Sequence, residues 1–420
     1  MKMLVAALVA AALVPHAARA QENVAPPPTG AALTLDEAHA LALEVSPDAE
    51  AVAESIRAAE VGAQVAGLRP NPTAFAEVEN FAGTGAFGGV GAAEATVGIE
   101  LPIERGGKRE ARVAVARART AGARLSAAEA AAELRIVVTL AYAGAIAAER
   151  RLATAEETLR IAQETAAAAD ARVRAGAASP LEQERAAVVL ANAEAGVAIA
   201  QRRLSLSRAQ LGRLIGRPLA EPLADAWFDR VTGYGPRLSV AIDGTLALAR
   251  ARSDLDIAEA QIDLADAQRV PDLTLRAGIR RAQDADAFGP VIGVSLPLRI
   301  FNNGSASLRQ ARAERDAAAA RVHAAALRAQ QAISEAQADV ADAEITARTA
   351  LGPALSAAQE ALRIARIGYR EGKFSQLDLI EAERTLADTR NAAIDAVYQY
   401  HAAVARLERL TAAYPTGGDR

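Results

Sequence analysis

Four short stretches of this chain alternate apolar with polar side chains, and the long stretches between them repeat their apolar positions at helical spacing. Over residues 73–81, Ala74, Ala76 and Val78 oppose Phe75, Glu77, Glu79 and Phe81, and over residues 94–101, Ala95, Val97, Ile99 and Leu101 oppose Thr96, Gly98 and Glu100. Leu273, Leu275, Ala277 and Ile279 alternate with Thr274, Arg276, Gly278 and Arg280 over residues 272–280, and Ile292, Val294 and Leu296 with Gly293 and Ser295 over 291–297. A period of two predicts strands with unlike faces. Each run has about 9 residues, the length that crosses a bilayer as a tilted strand.

Residues 109–174 contain no proline, which allows about 100 Å of helix at a rise of 1.5 Å per residue. Val138, Ala145, Leu152, Leu159, Ala166 and Val173 recur every seventh position, as do Leu379, Leu386, Ala393, Tyr400 and Leu407. Such heptads make seams between neighbouring helices. Residues from Gly176 to Ser179 turn the first helix back at Pro180, so that residues 109–215 form a helical hairpin. A second hairpin over 305–411 turns between Gly372 and Ser375 and is broken at Gly352-Pro353. Ahead of the first strand, Thr34-Leu35-Asp36-Glu37 is a capping box and Ser46-Pro47-Asp48 restarts the helix, which Arg69-Pro70-Asn71-Pro72 stops near Gly67.

The pattern occurs twice. Leu101-Pro102 recurs as Leu296-Pro297 and Gly98 as Gly293, a spacing of about 200 residues that is far too long for a solenoid. Ala116-Arg117-Ala118 recurs as Ala311-Arg312-Ala313, and the turn Gly176 to Ser179 as Gly372 to Ser375. Residues 21–216 and 237–412 are therefore read as two copies of one unit. An irregular segment, 217–236, joins them and holds the only Trp, and 413–420 form a tail.

Composition sharpens this reading. Hydrophobic residues make up 51% of the chain, much of it alanine, and aromatics only 3%. Alanine favours helix but buries little area, so long helices should pack closely through shallow contacts, and any aromatic girdle should be thin. Lys2, an apolar run from Leu4 to Val14 and small Ala18 and Ala20 have the layout of an export signal over residues 1–20. The formal net charge of −4 gives no footprint for nucleic acid. The absence of cysteine excludes disulfides, thiolate metal sites, a cysteine nucleophile and a cysteine-linked lipid. No segment after the signal has the ~18 uncharged apolar residues of a spanning helix, so a membrane would have to be crossed by strands. Four strands cannot seal a barrel, and an open edge in hydrocarbon leaves backbone groups unsatisfied, so several copies would have to pool their strands. Two half-buried hairpins of a soluble α+β domain remain the alternative.

The motifs that could carry chemistry do not. Gly83-Thr84-Gly85-Ala86-Phe87-Gly88 has the spacing of a dinucleotide loop but leads into a strand, not a helix, and is read as a hairpin loop. Gly106-Gly107-Lys108 lacks the rest of a phosphate loop and is read as a turn. His16, His39, His323 and His401 show no paired spacing, so they are read as helix-surface residues. No nucleophile stands with a base; no enzyme activity, cofactor or bound metal is expected.

Arg69-Pro70-Asn71-Pro72, Glu77-Val78-Glu79-Asn80-Phe81-Ala82-Gly83-Thr84-Gly85, Glu94-Ala95-Thr96 and the run from Leu101 to Arg109 resemble the outer-membrane efflux proteins of the TolC-like family, most closely its CzcC-like heavy-metal branch. The resemblance covers nearly the whole chain after the signal. It implies a mainly α fold with a small transmembrane β part: a homotrimer in outer-membrane lipid, each chain giving four strands to a twelve-stranded barrel and its helical hairpins to a periplasmic tunnel. It also implies a periplasmic adaptor and an inner-membrane pump of the resistance-nodulation-division class, contacted at the tip turns that hold Gly176, Ser179, Gly372 and Ser375. By spacing from the two glycines, Tyr369, Asp378, Glu381 and Glu182 match the family's tip constriction, while Phe374 stands where TolC has a basic residue. Glu77, Glu79, Glu100, Arg276 and Arg280 are candidates for the barrel lumen. The implied function is export of divalent heavy-metal cations. Drug efflux or protein secretion on the same fold, and a non-conducting coiled-coil or adhesin trimer, are the alternatives.

Overall fold

The computed structural model describes residues 32–231 and 242–414. The export signal expected at 1–20, residues 232–236 of the joining segment and residues 415–420 of the tail lie outside the described residues.

Helix α1 (Leu35–Val45) starts at Thr34, whose hydroxyl accepts the Glu37 N–H at 3.3 Å while the Glu37 carboxylate accepts the Thr34 N–H at 2.9 Å. Ser46 caps α2 (Pro47–Ala66), with Pro47 at the first helical position where no N–H partner is needed. Then come strands β1 (Thr73–Glu79) and β2 (Glu94–Ile103) and the hairpin of α3 (Lys108–Arg174) and α4 (Pro180–Leu214). The second half repeats the order: α5 (Leu246–Ala267), β3 (Leu273–Ala282), β4 (Ala287–Ser295), α6 (Ser305–Thr349), α7 (Leu355–Arg370) and α8 (Gln376–Thr411). With 67 residues, α3 is about 100 Å long.

The four strands form one antiparallel sheet in the order β1-β2-β3-β4, so the central β2–β3 pairing joins the two repeats. Their limits differ from the sequence reading for local reasons. Strand β1 stops at Glu79 because Asn80 takes the left-handed conformation (φ 58°). Strand β2 runs on to Ile103, pairing with Leu273. Strand β4 begins earlier than residue 291, since Ala287 pairs with Ala282 across a tight turn with Asp286 at φ 44°, and ends before Leu296-Pro297. Pro290 lies inside β4, which a strand at the sheet edge tolerates.

Gly352-Pro353 does not break its helix. Residues Ala350–Ala354 form a π-helical turn that admits the proline ring, and the helical path continues into α7. The α8 heptad is buried throughout, from Leu379 to Leu407. That of α3 is not: below Ala145 the buried positions move to Thr154, Ile161, Ala162, Thr165 and Ala169. A straight helix drifts by about 20° per heptad, so over this length the seam leaves the strict sevenfold register.

The main core lies where α3, α6 and α8 meet α1 and the joining segment, around Val138, Tyr142, Ile146, Phe228, Val340 and Tyr400. One window of α3 is apolar enough, at mean hydropathy 1.5, to pass for a membrane span. Its Val138, Tyr142 and Ile146 are fully buried in this core instead. The Tyr142 hydroxyl lies 2.7 Å from the Leu33 carbonyl and 3.0 Å from that of Ala224, and burial pushes its pKa up to about 12.

His323 is exposed, as read from sequence, but His401 is not a surface residue. Its ring stacks on Trp227 at 4.0 Å between centroids, and Nε2 donates to the Phe228 carbonyl at 2.7 Å. Burial holds its pKa below the ordinary 6.5. The unfolded chain therefore binds this proton at higher pH than the folded chain does, and stability is lost as pH falls through 6.5 toward the lower folded value. We expect the denaturation midpoint of the detergent-solubilised protein to drop over that window and the drop to shrink in His401→Gln; an identical pH slope in the variant would assign the effect elsewhere.

Candidate functional site

The sheet has one apolar and one polar face. Register puts Ala76, Val97, Ile279 and Pro290 in one row and Ile99, Ala277 and Ile292 in another. Val97, Ile99, Ile279, Ile292 and Val294 are each more than half exposed. The opposite face carries Glu77, Glu79, Glu94, Thr96, Glu100, Arg276 and Arg280. The Arg280 guanidinium donates to Glu79 at 2.8 Å, Glu94 at 2.7 Å and the Thr96 hydroxyl at 3.0 Å. Arg276 pairs with Glu100 and covers the Phe75 ring at 5.0 Å. Glu77, opposite Thr96, has no ion pair among the described residues. Four carboxylates thus face two guanidiniums. Of these, Glu94 carries part of the family resemblance but was not among the lumen candidates read from sequence, because it is the first residue of its strand, where alternation has not yet begun.

At the far end of the helices, Gly176 and Gly372 turn each hairpin with φ of 69° and 71°. The Ala177 N–H donates to the Arg172 carbonyl and the Lys373 N–H to the Gly368 carbonyl, both at 2.8 Å, the closure a left-handed residue permits. Beyond the turn the two copies differ. The Asp378 carboxylate accepts the Ser375 hydroxyl at 2.7 Å and its N–H at 2.9 Å, a capping box that holds this exposed carboxyl below its usual range. Ser179 makes no such cap. Glu182 is instead half-buried, with its backbone carbonyl accepting Gln376 Nε2 at 2.8 Å.

Tyr369 is buried inside the tip of its own chain, with the Arg172 guanidinium 5.0 Å above its ring; burial raises its pKa. Higher up, the Thr165 hydroxyl donates to Glu383 at 3.1 Å, and burial raises the Glu383 pKa. These contacts tie the first hairpin to the second. Glu381 is exposed on α8 and Asp378 on its first turn, so the structure does not bring them together with Glu182 and Tyr369. Among the described residues, five of the six side chains with a buried polar atom lacking a partner are at this end: Arg172, Glu182, Arg366, Tyr369 and Gln376.

The outer membrane efflux protein family matches residues 39–217 and 238–413, nearly all of both repeats. The chain belongs to this family. It is 29% identical to the cobalt-zinc-cadmium resistance protein CzcC of Cupriavidus metallidurans over 90% of each chain. With the nickel and cobalt resistance protein CnrC of the same organism it shares 30% identity over 67% of each. The outer membrane protein VceC of Vibrio cholerae has the same fold, with a TM-score of 0.73 at 21% identity, covering 90% of this chain and 96% of that one. The family is one of transport conduits in the outer membrane.

Arg172, Gly368, Gln376 and Glu383 were not foreseen from sequence; the one signal was a glycine within a helical run six residues before Phe374. The Phe374 ring lies on Gly368, where a Cβ would stand 2.2 Å from Cδ2. Gly368→Ala should displace the partly exposed Phe374 ring and loosen the tip, a loss that the gain of about 1 kcal/mol from alanine within a helix offsets in part. Amide exchange over residues 366–376 is the readout, and protection equal to the parent's would mean the contact is dispensable.

Proposed function

We propose that this chain is the outer-membrane duct of a tripartite efflux system that expels divalent heavy-metal cations. Three copies place their sheets edge to edge in a twelve-stranded barrel, and their helical hairpins form the periplasmic tunnel. The observation that carries this reading is the sheet itself: apolar on one face, charged on the other, and open at both edges. Because each chain contributes an even number of strands, β4 of one copy meets β1 of the next antiparallel, and a repeated rotation closes the ring.

The cargo is inferred from the cobalt, zinc, cadmium and nickel resistance of the relatives and from the excess of carboxylates on the lumen face. Net negative charge in a narrow, low-dielectric passage concentrates cations. Glu77, Glu79, Glu100, Arg276 and Arg280, with Glu94, line the barrel. The tip turns at Gly176, Ser179, Gly372 and Ser375 receive a periplasmic adaptor, beyond which sits an inner-membrane pump of the resistance-nodulation-division class. Glu182, Tyr369, Asp378 and Glu381 belong to the closing end. Leaving a buried polar atom unpaired costs about 1–3 kcal/mol. The concentration of such atoms here supports the view that the tip rearranges when the tunnel opens.

Expressed with its pump and adaptor in a strain lacking its own duct, the chain should restore growth on cobalt, zinc or cadmium salts. Failure to do so, with drug tolerance restored instead, would move the cargo to organic compounds. In planar bilayers Asp378→Asn with Glu381→Gln, which keeps a capping side chain at residue 378, should lower cation preference; an unchanged reversal potential would remove both carboxylates from the conduction path.

A further inference from the structure

The lipid-facing side of β4 does not end where its ladder ends. Leu296, Leu298 and Ile300 continue the alternation of Ile292 and Val294, with Pro297 and Arg299 between them. Leu298 and Ile300 are about three-quarters exposed, and Phe301 is entirely so. This segment is held, not loose. Arg299 turns the other way and donates to the Gln268 carbonyl. The Gly304 and Ser305 N–H groups donate to the side chains of Asn302 and Asn303, each at 3.0 Å.

In the first repeat the corresponding junction carries Glu104, Arg105 and Gly106. There Glu104 is paired with Arg112, and the Arg105 N–H donates to Asp272 at 3.1 Å. The strand-to-helix turn can therefore be built from polar residues, and the apolar protrusion belongs to the second repeat alone.

Its height follows from strand geometry. From Phe288 to Ser295 β4 advances about 23 Å at 3.3 Å per residue, and an equally extended path over the three residues to Leu298 would bring this to about 33 Å. Tilted by ~40°, that is roughly 25 Å along the membrane normal, the height of a barrel's apolar band. Beyond it the chain bends, with the Ile300 N–H on the Leu298 carbonyl at 3.1 Å. We infer that Ile300 and Phe301 lie in the periplasmic leaflet of the outer membrane, at the boundary between phospholipid headgroups and acyl chains, and fix the depth of the barrel there. The inference rests on the barrel reading of the sheet. Leu298 and Ile300 continue the sequence parity of Ile292 and Val294 on the face of the sheet, whereas a neighbouring copy pairs along the edge of β4, so lipid and not protein is the occupant of this side.

The test uses Phe301→Trp in the full chain, reconstituted in phospholipid vesicles. The one native Trp, Trp227, is half-buried near Tyr142 and His401, and its emission in the parent serves as baseline. Phospholipids brominated near the glycerol end should roughly halve the added emission, and those brominated near the chain end should quench it less. Ile292→Trp, mid-sheet, should show the reverse order. If Ile292→Trp is quenched and Phe301→Trp is not, the anchor is wrong while the barrel stands; blue-shifted, unquenched emission would then place a second copy over Phe301, and red-shifted emission would place water there. If neither is quenched, the barrel reading itself fails. Should Phe301→Trp not assemble, Ile300→Trp carries the same expectations.

Discussion

Backbone hydrogen bonding at the two edges of a four-stranded sheet is the constraint on which this structure depends. Strands β1 and β4 each have one row of N–H and C=O groups with no strand partner among the described residues. In water such edges are a liability; in hydrocarbon each unsatisfied group costs several kcal/mol. The exposed side chains of the apolar face leave hydrocarbon as the fitting surroundings, so the edges must be completed by further strands. Most of the charge on the sheet is gathered on the opposite face, where Arg280 holds two carboxylates and Arg276 a third; on the apolar face Arg281 stands at the turn end, over Phe288 and paired with Asp286.

The helices meet a different demand, that of standing some 100 Å tall on little apolar area. Alanine allows close approach, and the joining segment holds the bundle at its main core. Arg150 bridges Asp225 and Asp229 at 2.8 Å each, and Arg208 pairs with Glu149 and donates to the Glu221 carbonyl. Tyr142 and His401 pin the same segment to α3 and α8 from inside. Tyr142 and His401 are polar anchors satisfied within a buried core, where an unmet partner is expensive and a met one fixes position, while the arginine pairs lie at its partly exposed margin.

Duplication made two similar hairpins, and the tips show how far they have diverged. Both turns share a left-handed glycine and the same closing hydrogen bond. Only the second uses its serine and acid as a cap; the first starts on Pro180 and turns Glu182 toward its neighbour. Joined by Gln376, Arg172 and Tyr369, the pair form one packed unit and not two separate turns.

By itself the sequence determined the strands, the hairpins, their turns and the family, because these depend on local periodicity, proline, glycine and capping, which act between residues near in the chain. It also determined which side chains share a sheet face, since alternation is a property of the strand. What it could not determine were contacts between residues hundreds of positions apart. His401 reads as a helix-surface residue until Trp227 is laid on it, and Gly352-Pro353 reads as a break until its neighbours in the bundle hold the widened turn. The α3 seam leaves its heptads because a straight helix drifts from a sevenfold repeat, but which face is then buried depends on what packs against it, and only the tertiary structure decides that.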